Sequence, residues 1–128
     1  MAGITSPVTR RRIVLVTGVK TAAVAANDLL ASVVYPFPAG RISAVVASAA
    51  GAGGTSGSDI LDVQKNGTTM FTTAANMPTL GYASTGAFAN KLPDVLNCVA
   101  GDVITIKVTT AAGTGHTGVT ATVVIEVM

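Results

Sequence analysis

A period of two in the apolar residues constrains this chain more than any other feature. Val119, Ala121, Val123, Ile125 and Val127 occupy alternate positions near the C-terminus. Ile104, Ile106 and Val108 alternate in the same way against Val103, Thr105, Lys107 and Thr109. Successive side chains of an extended strand point to opposite faces, so each run offers one face to a core and one to its surroundings. No segment sustains the 3.6-residue period of an amphipathic helix. The chain is expected to be all-β.

Further strands are read at Arg12–Thr17, Leu29–Tyr35, Arg41–Ala49 and Asp59–Lys65, with a short one at Val95–Val99. In Arg41–Ala49, Ile42, Ala44 and Val46 alternate against Ser43, Val45 and Ala47. Asn66-Gly67 follows Lys65, and Thr68–Thr73 returns. Asn-Gly favours a two-residue type I′ turn, because that turn needs positive φ at both central residues. Asp59–Thr73 is therefore a hairpin. Val19–Asp28 is Ala-rich and ambiguous between a helical turn and extended chain. Ala50–Ser58, with four glycines, and Gly113–Gly118 read as loops. Ala74–Pro93 has no clear period and is long for a loop, a property of interaction segments. Seven or eight short strands with turn chemistry between them predict one antiparallel β-sandwich over residues 12–128, preceded by an N-terminal arm over residues 1–11.

Arg10-Arg11-Arg12 followed by Ile13–Val16 imitates a secretory leader. Gly18 and Lys20 interrupt the apolar stretch, and its β-branched residues favour a strand. No apolar run reaches the ~20 residues of a membrane helix.

Composition bears on function. Charged residues are 11% of the 128, under half the roughly 25% usual in soluble domains. Thr, Ser, Ala and Gly must cover the surface instead, which suits a subunit flanked by neighbours. The net charge of +2 depends on Arg10, Arg11 and Arg12; without those three it is 2 − 3 = −1. The cluster is a candidate partner-binding arm. With aromatics at 4%, the interleaved stacking platform of a nucleic-acid binder is missing, and nucleic acid is an unlikely partner.

Little chemistry can be assembled from the remaining residues. His116 is the only histidine and sits in a glycine-rich turn, where an exposed position is expected. No Cys or carboxylate near it in sequence completes a zinc site. Asp59 and Asp62 stand three apart on one strand and point to opposite faces, which spoils them as an acid–base pair. The Gly51–Gly57 run lacks the Gly-Lys-Ser/Thr ending of a phosphate loop, and a strand follows it rather than a helix. Cys98, the only cysteine, is expected to be a small buried apolar residue. No catalytic residue, metal or cofactor is therefore expected. Tyr82 and Phe88, in the long connection, remain as candidate loop interaction residues.

Two stretches, Asp62-Val63-Gln64-Lys65-Asn66-Gly67-Thr68-Thr69-Met70-Phe71 and Gly101-Asp102-Val103-Ile104-Thr105-Ile106-Lys107-Val108, occur together. With the Tyr35–Ile42 lead into the third strand, they resemble small jelly-roll-like β-sandwich domains of tailed-bacteriophage virions, such as head decoration or cement proteins. The resemblance implies a virion structural protein on the outer capsid surface, a major capsid protein or other virion protein as partner, and a homo-oligomer, with a trimer favoured over a dimer. It carries no catalytic residues, cofactor or membrane contact. A receptor- or glycan-binding module of a tail fibre or baseplate, or a tail or neck ring component, is the alternative.

Overall fold

The structure is a computed structural model that describes residues 12–54, 56–88 and 91–128. Ten strands run in chain order: β1 (Ile13–Lys20), β2 (Leu29–Val34), β3 (Ala39–Ser48), β4 (Ser58–Lys65), β5 (Thr68–Thr69), β6 (Thr79–Gly81), β7 (Gly86–Phe88), β8 (Asn97–Val99), β9 (Val103–Thr110) and β10 (Val119–Val127). A single 3₁₀ turn, Ala74–Asn76, is the only helical element among the described residues. The ambiguous segment after Lys20 contains no helix: it is irregular chain that turns at Asn27, with φ of 70°.

The strands form two five-stranded antiparallel sheets. One has the order β1-β10-β3, with β7 and β8 on opposite ends of the far edge of β3. The other has the order β2-β9-β4, with β5 and β6 sharing the far edge of β4. Going along the chain, β1 pairs with β10, β2 with β9, β3 with β8 and β7, and β4 with β6 and β5. The whole chain is thus one long antiparallel ribbon, with its tip at the β4–β5 turn, rolled so that successive pairs fall in alternate sheets. That wrapping is a jelly roll. The expected all-β sandwich is what forms, with short strands raising the count from seven or eight to ten.

The core lies between the sheets. Val16, Ile42, Val45, Val123 and Ile125 meet Leu61, Val63, Ile104, Ile106 and Val108, all buried. The buried faces of β9 and β10 are those that alternation selects. β3 departs from it. Its register against β10 shifts between Val124 and Ile125, where Ser43 is an extra residue. A bulge of this kind moves the alternation by one position. Ile42, Val45 and Ala47 are consequently buried, while Ala44 and Val46 are only partly so.

The Asn66-Gly67 turn has the positive φ values that type I′ requires, 53° and 82°. Its return strand is only Thr68–Thr69, extended by one bond from Met70 N–H to Val63 O at 2.8 Å. Cys98 is buried and free, and burial pushes its thiol pKa up. No helix of the described residues is long and apolar enough to cross a membrane.

Candidate functional site

Three connections converge at one end of the sandwich: residues 49–54 with 56–57, the β6–β7 turn at 82–85, and residues 111–118. They are organised around a side chain expected to be exposed. His116 is fully buried, at 0% exposure, and so is Asp59 at the start of β4. Asp59, Gly53 and the carbonyls of Gly81 and Ser84 surround the ring, so a turn position in sequence becomes a core position in space.

The geometry assigns the protons. His116 Nε2 lies 2.9 Å from Gly81 O and 2.8 Å from Ser84 O. Both are acceptors only, so Nε2 carries hydrogen and donates to them. On the other side of the ring, Nδ1 is hydrogen-bonded to Asp59 Oδ2. The same carboxylate accepts the His116 N–H at 2.8 Å and, through Oδ1, the Ala112 N–H at 2.7 Å. His116 O accepts from Val24 N–H at 3.0 Å. One buried pair therefore ties β4, the β6–β7 turn, the 111–118 loop and the β1–β2 connection together.

The glycines permit this closeness. A Cβ on Gly115 would stand 1.9 Å from Val24 O, and one on Gly53 would stand 3.1 Å from His116 Cε1. The Gly-rich segments that read as loops are close-packing points. Gly53 N–H donates to Tyr82 O at 2.8 Å and Tyr82 N–H to Gly57 O at 3.1 Å. Tyr82 thus projects, 44% exposed, from a turn fixed on both sides.

A His–Asp pair invites comparison with a catalytic triad. In a triad, Nε2 takes the proton of a nucleophile. Here Nε2 is occupied by two backbone carbonyls and the ring is closed off, so the pair is a lock between loops. Asp59 and Asp62 do sit on opposite faces: Asp62 accepts from Thr69 Oγ1 and, at 3.2 Å, from Gln64 Nε2. Among the described residues, no three His, Cys, Asp or Glu side chains group as metal ligands.

The other notable surface is the open side formed by β1 and β2, the first strands of the two sheets. They are stacked against each other: a Cβ on Gly18 would stand 2.6 Å from the Leu30 carbonyl carbon. Ile13, Leu15 and Val19 are exposed on β1, and Leu29, Val33 and Val34 on β2, with Leu15 at 62%. One ion pair lies at the ends of these strands. Lys20 pairs with Asp28, whose carboxyl it holds below the usual carboxylate range.

The sequence-predicted site residues are not brought together. Arg10 and Arg11, and the arm over residues 1–11, lie outside the described residues. Arg12 is exposed, with its guanidinium 4.8 Å from the centroid of the Phe37 ring, a cation–π contact. Phe37 in turn meets Tyr35 edge-on at 6.0 Å. Arg12 is therefore tied to the base of the sandwich and belongs with the start of β1. Phe88 lies on β7, its backbone opposite Val46. Sequence reading missed the Asp59–His116 pair, and neither residue carries a local signal for it.

No family model, no curated protein and no solved structure matches this chain.

Proposed function

We propose that this chain is a non-enzymatic structural protein of a tailed-bacteriophage virion, a decoration or cement protein that binds the outer capsid surface. The observation that carries the reading is the open side of the sandwich. Two adjacent edge strands expose six large aliphatic side chains and no unengaged charge between Ile13 and Val19. Edge strands of free monomers are usually guarded by Lys, Pro or a covering element. An unguarded, charge-poor side suits a subunit that is covered when assembled.

The mechanism is binding by area. Each subunit contributes a preformed sandwich, which loses little entropy on docking. Many copies on one particle add avidity. Residues 1–11, with Arg10 and Arg11, act as an arm to a neighbouring virion protein, with Arg12 as its anchor point. The major capsid protein is the expected partner, and the capsid surface is favoured over the tail.

Cryo-electron microscopy of particles carrying this chain tests the reading. Jelly-roll density on the outer capsid surface is expected, with lower occupancy when residues 1–11 are deleted. Purified particles that lack the chain would overturn it.

The exposed Tyr82 favours a second reading, a glycan-binding module of a fibre or baseplate. Aromatic side chains on fixed loops suit sugar faces, and Tyr82 is held through its flanking Gly81 and Ser84 carbonyls. Glycan-array binding that is lost in Tyr82→Ala supports it; an array with no signal removes it.

A further inference from the structure

We propose that the open side is a self-association surface: a second copy of this chain pairs antiparallel with β1, related by a two-fold axis through Val16. The proposal stands on backbone geometry and is independent of the virion reading. Val127 N–H donates to Arg12 O, and Met128 N–H donates to Ala39 O. In an antiparallel ladder, N–H and C=O of one residue point to the same side and alternate along the strand. Even-numbered residues of β1 therefore face β10. Ile13, Leu15, Thr17 and Val19 turn their N–H and C=O away from it, where no further strand follows among the described residues.

Four such residues in alternate positions are self-complementary. A two-fold axis at Val16 places Ile13 opposite the partner copy's position 19 and Leu15 opposite its position 17. Each of these is a hydrogen-bonded pair, and each keeps outward side chains on one face. Such an isologous contact closes at two copies. Arg12 and Lys20 lie outside the paired segment, against Phe37 and Asp28 respectively. The same axis sets β2 of one copy beside β2 of the other.

Area predicts the strength. The seven paired residues at ~3.3 Å span about 23 Å, and two sheets lie ~10 Å apart, so the footprint is on the order of 200 Å². That is below the ~800 Å² per partner of a standard interface, so a weak dimer is expected, with a dissociation constant on the order of 100 µM. This differs from the trimer that the family resemblance implies.

Sedimentation equilibrium of the full chain tests the proposal, from roughly 10 µM to roughly 1 mM. The weight-average mass should rise from 12.7 kDa toward twice that value. Leu15→Lys and Thr17→Pro should both remain monomeric with unchanged circular dichroism, since proline at 17 removes an outward N–H and leaves the β10 ladder intact. A mass that stays monomeric throughout, or that rises to a trimer, overturns the two-fold. So does a dimer that survives both substitutions. The register has its own test. An equimolar mixture of Leu15→Cys and Thr17→Cys chains should form disulfide-linked dimers about tenfold faster than either alone, because only that pair falls within disulfide reach. Equal rates overturn the Val16 axis.

Discussion

At the scale of single residues, the Asp59–His116 pair dominates. Each Asp59 oxygen accepts from a backbone N–H, and Oδ2 also serves the ring. An amide at this position must turn its NH₂ toward one of those donors. Asp59→Asn is therefore expected to lower the unfolding free energy by ~3 kcal/mol, as when one partner of a buried pair is lost. His116→Gln should cost a similar amount, because Gly81 O and Ser84 O lose their donor. The two residues act as one unit, so the double variant should fall well short of the sum. Urea denaturation of the four proteins measures this; additive losses would mean that the pair is not coupled. Sequence reading could not find the pair because its members are 57 residues apart and because histidine in a glycine-rich turn is ordinarily exposed. Burial here depends on the way β4 and the 111–118 loop meet, which is a property of the rolled fold. The burial of Cys98, by contrast, follows from its own apolar character.

At the scale of elements, the Asn66-Gly67 hairpin was legible because its signal is local: the turn itself requires residues that accept positive φ. β6 and β7 were not, since three residues give no measurable period; β8 falls within the short strand read at Val95–Val99. The phase of β3 was hidden for another reason. Its bulge is defined only against β10, far away in sequence. The hairpin tip also makes a contact that sequence does not show. Asn66 Nδ2 donates to Asp102 Oδ1 at 2.9 Å, Val99 N–H donates to Asp102 Oδ2 at 2.9 Å, and Asn66 Oδ1 accepts from Val103 N–H at 2.9 Å. The β4–β5 turn is thereby fastened to the β8–β9 turn. The Val99 N–H, and then Asn66, hold the Asp102 carboxyl below the usual carboxylate range. A carboxyl depressed in the folded state stabilises the protein above its unfolded pKa of ~3.9, and that contribution is lost as pH falls through the folded value. Asp102→Asn should therefore be less stable than the wild type at neutral pH. The gap should narrow as pH falls below about 4. Urea midpoints of both proteins between neutral and strongly acidic pH check the sign; a gap that widens on acidification would contradict the assignment.

At the scale of the molecule, the rolled ribbon makes the two ends of the chain mutually dependent. β10 lies between β1 and β3, and Ile13 pairs with Glu126 across almost the full length of the sequence. Val119, Val123 and Ile125 are fully buried, and Ala121 nearly so. Without β10, β1 has no neighbour in its sheet, β3 loses its central ladder, and the cores of both sheets open on one side. Removal of residues 119–128 is therefore expected to abolish cooperative folding, not merely weaken it. The same connectivity governs the rate. Pairings this distant in sequence require the largest loop closures before any contact rewards them, so refolding should occur in milliseconds to seconds, as in other high-contact-order β-folds. The hairpin at β4–β5 needs only local contacts and can form first, and β1 can be placed only after β10 has arrived. Stopped-flow refolding of variants distinguishes the order. Gly67→Ala, which strains the tip, should slow folding. Val123→Ala, which loosens the closing strand, should chiefly accelerate unfolding. The opposite partition would place closure of the ribbon before its tip.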